Sequence, residues 1–180
     1  MNMNTNVSVN VRHILLAEDD PRDAKLTLAA LAEHNVDNKV FHVTDGEAVL
    51  DYLNCEGKFK GREGGNPVAI MLDLKMPKVD GLEVLKIIKA EEKLKTIPVV
   101  VLTSSREPSD LIDCYEQGVN AYVVKPVDFA EFAQAVKQIG GFWVMVNEPP
   151  PIGKEAAPTS GSDVIFSLKK KSRDQIGAGT

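Results

Sequence analysis

Five short apolar runs, each separated from the next by a stretch with helical periodicity, constrain this chain more than any other feature. Ile14-Leu15-Leu16-Ala17, Val40-Phe41-His42-Val43, Val68-Ala69-Ile70-Met71-Leu72, Pro98-Val99-Val100-Val101-Leu102 and Ala121-Tyr122-Val123-Val124 are continuous and mostly aliphatic. Runs of this length without polar alternation read as strands buried on both faces. Between them, Leu82, Val84, Leu85 and Ile88, and again Phe129, Phe132, Ala133 and Val136, recur at spacings of three or four and give one apolar stripe per helix. Strands joined by helical crossovers form a parallel sheet, so the expected fold class is α/β: a doubly wound five-stranded parallel sheet with helices on both faces. Cys55 to Pro67, with Gly57, Gly61, Gly64 and Gly65 among Lys and Arg, reads as a longer surface loop.

The 180 residues carry a net charge of -5, unevenly spread. Residues 148–180 are +1 overall and hold four prolines and four glycines. Such a segment buries too little apolar surface to offset the entropy of ordering it. Residues 1–11 therefore read as a flexible N-terminus, 12–147 as the folded domain with an extended C-terminal segment, and 148–180 as a disordered tail. The cluster Lys169-Lys170-Lys171 with Arg173 reads as a solvated end. The acidic balance argues against a nucleic-acid partner, which a broad basic surface would have to recruit. No run approaches the roughly 20 apolar residues that span a bilayer, and no signal peptide is legible, so the expected location is cytoplasmic. Cys55 and Cys114 are too few for a disulfide framework and agree with a reducing compartment.

In an open sheet of this class the functional crevice lies beyond the carboxyl ends of the strands. There the first strand runs into Glu18-Asp19-Asp20, the third into Asp73, the fourth into Thr103-Ser104-Ser105 and the fifth into Lys125-Pro126. Asp20 before Pro21 reads as a helix N-cap. Glu18, Asp19 and Asp73 would put three carboxylates together, and each pair at about 4 Å costs roughly 4 kcal/mol at an effective dielectric near 20. That repulsion calls for a cation, and an oxygen-only donor set suits Mg²⁺. His13, His34 and His42 show no ligand spacing. With a metal site, a hydroxyl and a lysine beside it, Asp73 becomes a candidate nucleophile that forms an acyl phosphate, with Mg²⁺ and Lys125 neutralising the phosphoryl oxygens.

The acidic cluster, Asp73 with Met76-Pro77 and Asp80-Gly81, Thr103, Tyr122 and Lys125-Pro126 together resemble the response-regulator receiver domain of two-component signalling over residues 12–140. The resemblance implies a flavodoxin-like strand order of 2-1-3-4-5 and phosphorylation of Asp73 by a sensor histidine kinase. It implies a metal shell of Glu18, Asp19, Asp73 and the backbone carbonyl of Lys75. Thr103 and Lys125 would each bind a phosphoryl oxygen, and Tyr122 would turn inward when Thr103 moves. Lys75 and Ser105 would border the water-accessible side of the phosphoryl group, where a long cation at Lys75 would prolong the acyl phosphate. Gly140-Gly141 precedes the apolar pentad Phe142-Trp143-Val144-Met145-Val146, which reads as the surface of a symmetric homodimer through Phe142, Trp143 and Met145. That extension and the Gly-rich loop resemble, more narrowly, stand-alone receivers paired with bacterial phytochrome kinases. Three alternatives are weighed against this reading. A scaffold receiver without phosphorylation would not need the full acid, hydroxyl and lysine set. An aspartyl-phosphate phosphatase would need an acid where Lys75 stands. A flavodoxin-like electron carrier would need a phosphate cradle where Glu18-Asp19-Asp20 stands.

Overall fold

The structure is a computed structural model of the chain, and residues 12–33, 40–62 and 65–149 are described. The reading of residues 1–11, nearly all of the tail, His34 and Gly64 lie outside them. Five strands, β1 (Ile14–Ala17), β2 (Val40–Val43), β3 (Ala69–Leu72), β4 (Val99–Thr103) and β5 (Ala121–Val124), form one parallel sheet in the order β2-β1-β3-β4-β5. The intervening helices are α1 (Pro21–Ala32), α2 (Gly46–Asn54), α3 (Gly81–Ala90), α4 (Pro108–Glu116) and α5 (Phe129–Gly141).

Alternation along the strands divides the core in two, because successive side chains leave a strand on opposite faces. Leu15, Ala17, Ile70, Leu72, Val99 and Val101 pack with Val49, Leu53, Val84, Leu85, Ile88 and Cys114 beneath α2, α3 and α4. Ile14, Leu16, Met71 and Leu102 pack with Leu31, Phe132 and Val136 beneath α1 and α5. The interior strands β1, β3 and β4 are buried throughout, as the unbroken apolar runs require. The two edge strands are not: β5 is only half-buried along its length and Phe41 of β2 is 43% exposed. An edge strand has one neighbour, and helical cover thins at the sheet margin. Phe129 likewise leaves the predicted α5 stripe for solvent, because it is the first residue of the helix and lies beyond the sheet.

Four helices start from an aspartate whose carboxylate accepts from first-turn amides: Asp20, Asp45, Asp80 and Asp128. Each cap follows a strand end, so the chain turns back at the carboxyl edge of the sheet within a few residues. At α3 the approach is tight. A Cβ on Gly81 would lie 2.1 Å from the carbonyl oxygen of Asp73, so only glycine lets this helix begin against the end of β3.

The loop after α2 is more built than its glycines suggest. Cys55 ends α2 in the left-handed region (φ 57°), and a 3₁₀ turn over Gly57–Phe59 buries Phe59 against Tyr52, ring centroids 5.1 Å apart. Arg62 stacks on Tyr52 at 4.1 Å and fastens the far side of the loop. After α5 the chain adds one π turn, Phe142–Val146. Its middle residue, Val144, is buried in the α1/α5 core, whereas Phe142, Met145 and Val146 are exposed. The pentad is therefore part clamp and part free surface. Among the described residues no helix is long and apolar enough to cross a membrane.

Candidate functional site

Register brings the site together. The amide of Glu18 donates to Val43 O, that of Asp73 to Ala17 O and that of Lys125 to Thr103 O, at 3.0, 3.0 and 2.7 Å, so the parallel ladder continues one residue past the strands. Glu18, Asp73 and Lys125 thus leave β1, β3 and β5 at the same edge. Lys125 Nζ donates to Glu18 Oε2 at 2.6 Å, to Asp23 Oδ2 at 2.8 Å and to Asp73 Oδ2 at 2.9 Å. Glu18 is 1% and Asp73 6% exposed. Asp73 Oδ1 accepts from the amide of Lys75 at 3.2 Å, which fixes the carboxylate plane.

Glu18, Asp19 and Asp73 each offer a carboxylate oxygen within 4.8 Å of the others. Two of them, Glu18 and Asp73, share the Lys125 ammonium with Asp23, so three carboxylates surround one ammonium while Asp19 stands beside them. Burial is the largest influence on Glu18 and lifts its pKa to about 7; the charges of Asp73 and Asp23 add to the rise and Lys125 offsets it only in part. For Lys125 burial alone would lower the pKa, but its bonds to Asp23, Glu18 and Asp73 outweigh burial and hold it above the ordinary lysine value. The ammonium is secure, while the most buried acid remains short of positive charge. An all-oxygen set with excess negative charge, one member (Asp19) open to solvent, fits a hard divalent cation. Asp20 stands apart: bonds from the Arg22 and Asp23 amides hold its carboxyl below the usual range, as a helix cap.

Thr103, at the end of β4, is fully buried, and its Oγ1 accepts from the amide of Ser105 at 3.2 Å. Tyr122 is half-buried, and its hydroxyl donates to Ser105 O at 3.4 Å. Lys75 is exposed beside the site. Ser105 departs from expectation. It is buried, its hydroxyl donates to Asp110 Oδ2 at 2.5 Å and accepts from the amide of Glu107, so it ties β4 to the start of α4 instead of bordering solvent. Sequence reasoning missed Asp23. Its only signal was an acid three residues after the α1 cap, a position that reads as ordinary support for the helix dipole. His42 Nε2 pairs with Glu18 O and His13 Nε2 with the Tyr52 hydroxyl, both at 2.8 Å, outside any ligand set.

The response regulator receiver domain family matches residues 14–137. Response regulator Rcp1 of Synechocystis sp. is 38% identical over 131 residues, 73% of this chain and 88% of that protein, and its Mn(2+)-bound crystal structure superposes with a TM-score of 0.72. The phosphorylated cyanobacterial phytochrome response regulator RcpA is 39% identical over 77% of this chain and 98% of its own, TM-score 0.72. The bacteriophytochrome response regulator RtBRR is 51% identical over 88% of this chain and 96% of its own, TM-score 0.63. A family match over most of the folded residues and shared backbone architecture with relatives of 39% and 51% identity agree, and the chain belongs to the response regulator receiver domain family, close to the response regulators of phytochromes.

Proposed function

We propose that Asp73 is the phosphoacceptor, that Glu18, Asp19 and the carbonyl of Lys75 complete a Mg²⁺ site with it, and that Lys125 and Thr103 bind the phosphoryl oxygens. The observation that carries this reading is the single ammonium shared by Asp73 and Glu18 beside an oxygen set with unmet negative charge. An Asp73 carboxylate oxygen attacks phosphorus as the bond to the leaving group breaks and its electron pair departs with that group. Bound Mg²⁺ supplies charge neutralisation at the phosphoryl oxygens. Lys125, 2.9 Å from Asp73 before transfer, is within reach of a phosphoryl oxygen afterwards. The hydroxyl of Thr103 keeps one proton to donate while it accepts from Ser105. Incubation with acetyl phosphate and Mg²⁺ adds one phosphate to the intact mass of the wild type and none to Asp73→Asn; equal labelling of both refutes the assignment. The chemistry is confined to gaining and losing this phosphate, so the protein signals rather than turning over an external substrate.

The physiological donor is a sensor histidine kinase of the phytochrome type, a reading supported by RcpA and RtBRR, and this protein meets it in the cytoplasm. Output is by protein contact. Leu111, Ile112 and Tyr115 form an outward apolar stripe on α4, flanked by Glu107, Asp113 and Glu116 and unsuited to nucleic acid. Self-association into a homodimer uses the exposed part of the terminal turn, Phe142 and Met145 with Trp143 packed edge-on to Phe142 at 5.0 Å. Because Val144 is core, truncation after Gly140 would damage the fold. Phe142→Ser with Met145→Ser spares it, and unchanged sedimentation of that variant would count against this dimer surface.

A further inference from the structure

Lys125 makes one contact that the phosphotransfer reading leaves unexplained. An ammonium has three hydrogens, and here each has its own carboxylate: Glu18, Asp73 and Asp23. Glu18 and Asp73 belong to the oxygen set that fits a dication; Asp23 does not. A cation drawing on those two acids competes with the ammonium for them and repels it. The remaining anchor is Asp23, held in the first turn of α1 by its own amide bond to the Asp20 cap at 3.2 Å. Its carboxylate is 36% exposed, at the rim of the site, and lies outside the oxygen set, so it can hold the lysine without entering the cation's shell.

We propose that Asp23 is a positioning residue for phosphoryl transfer: it ties the Lys125 ammonium to α1 and keeps it facing Asp73 when the cation occupies Glu18 and Asp73. The inference rests on Asp73 being the phosphoacceptor. Removing the tether lets a long flexible side chain leave a site crowded with positive charge, and the phosphoryl oxygens then lose their monovalent partner during transfer.

Asp23→Ala, compared with wild type at saturating Mg²⁺, slows acetyl-phosphate labelling by about threefold to tenfold, the range for a charged hydrogen bond discounted for rim exposure. Asp23→Glu restores most of the rate. In a Lys125→Met background Asp23→Ala has no further effect, because there is no ammonium left to position. A second readout is independent of activity: the ¹⁵Nζ resonance of Lys125 stays protected from exchange in wild type with and without Mg²⁺, and disappears from Asp23→Ala once Mg²⁺ is added. An unchanged or faster rate in Asp23→Ala, an equal loss in the Lys125→Met background, or a resonance that survives Mg²⁺ in Asp23→Ala overturns the proposal. Labelling of Asp73→Asn would instead defeat the phosphoacceptor assignment, and the resonance experiment would still decide whether Asp23 holds the lysine.

Discussion

Lys125→Met keeps the aliphatic stem and removes the charge, so it isolates what the ammonium does in the cation-free protein. Its partners Glu18 and Asp73 are nearly inaccessible, and its contacts to them are 2.6 and 2.9 Å. Removing one partner of a buried ion pair typically costs about 3–5 kcal/mol. The Asp23 contact, at the rim, adds at most about 1 kcal/mol. One process limits the loss. Glu18 already titrates at about 7, above the ordinary 4.5, and without the lysine it moves higher and protonates. A carboxyl raised on folding contributes stability that is fully present below 4.5 and lost as pH rises through about 7. The variant's deficit is therefore expected to be about 3 kcal/mol near pH 7.5 and smaller near pH 5.5, each unit of pKa shift being worth about 1.36 kcal/mol. Urea unfolding in EDTA at both pH values measures it. Adding Mg²⁺ narrows the gap by supplying positive charge to the same oxygens, and Asp73→Asn in the Lys125→Met background narrows it by removing one acid. A variant as stable as wild type in EDTA near pH 7.5, or a deficit indifferent to pH, Mg²⁺ and Asp73→Asn alike, would refute the claim that unmet negative charge organises this site.

Lys75→Asn is expected to leave labelling intact and to shorten the life of the acyl phosphate by about fivefold, a barrier change near 1 kcal/mol, if the exposed Lys75 cation screens water approaching Asp73; timed phosphate loss checks it. Gly81→Ala drives a Cβ to 2.1 Å from Asp73 O and is expected to lose about 2 kcal/mol in urea unfolding, together with weaker divalent binding as Asp73 is pushed aside. Burial chiefly raises the phenol pKa of both Tyr52 and Tyr122, so absorbance titration shows a late-ionising component that Tyr52→Phe diminishes. The corresponding stability is present below pH 10 and lost as pH rises through the folded value.

The sheet and its working edge were legible because five short continuous apolar runs alternate with helical stripes, and because four of those runs end in residues that folding alone does not require. Val123 and Val124 look as core-like as Val100 and Val101, yet β5 is half-buried; only the position of a strand in the sheet decides this, and spacing does not carry it. Asp23 was missed and Ser105 misplaced for a related reason: the partner that defines each, Lys125 or Asp110, comes from a different element. Phe59 and Val144 were hidden in segments whose glycines and exposure signals were averaged over several residues, while burial is settled one side chain at a time.

Ser105 matters because it is the joint between the acid site and the exposed face of α4. Its amide donates to Thr103 Oγ1, its carbonyl accepts from the Tyr122 hydroxyl, and its own hydroxyl bridges Asp110 and the Glu107 amide. All four contacts belong to one residue, so a displacement of Thr103 toward a phosphoryl oxygen pulls on Tyr122 and on the first turn of α4 together. The α4 stripe Leu111, Ile112 and Tyr115 rides on that turn. Ser105→Ala keeps the two backbone contacts and cuts both side-chain links to α4. It is expected to label with acetyl phosphate within about twofold of wild type, since it removes no group that touches Asp73. Amide shifts of residues 107–116 on phosphorylation should meanwhile shrink, and those of residues 73–76 should stay. Full-sized shifts along α4 in Ser105→Ala would mean that the site reaches this face by packing against β4 alone, and that the hydroxyl bridge only caps the helix.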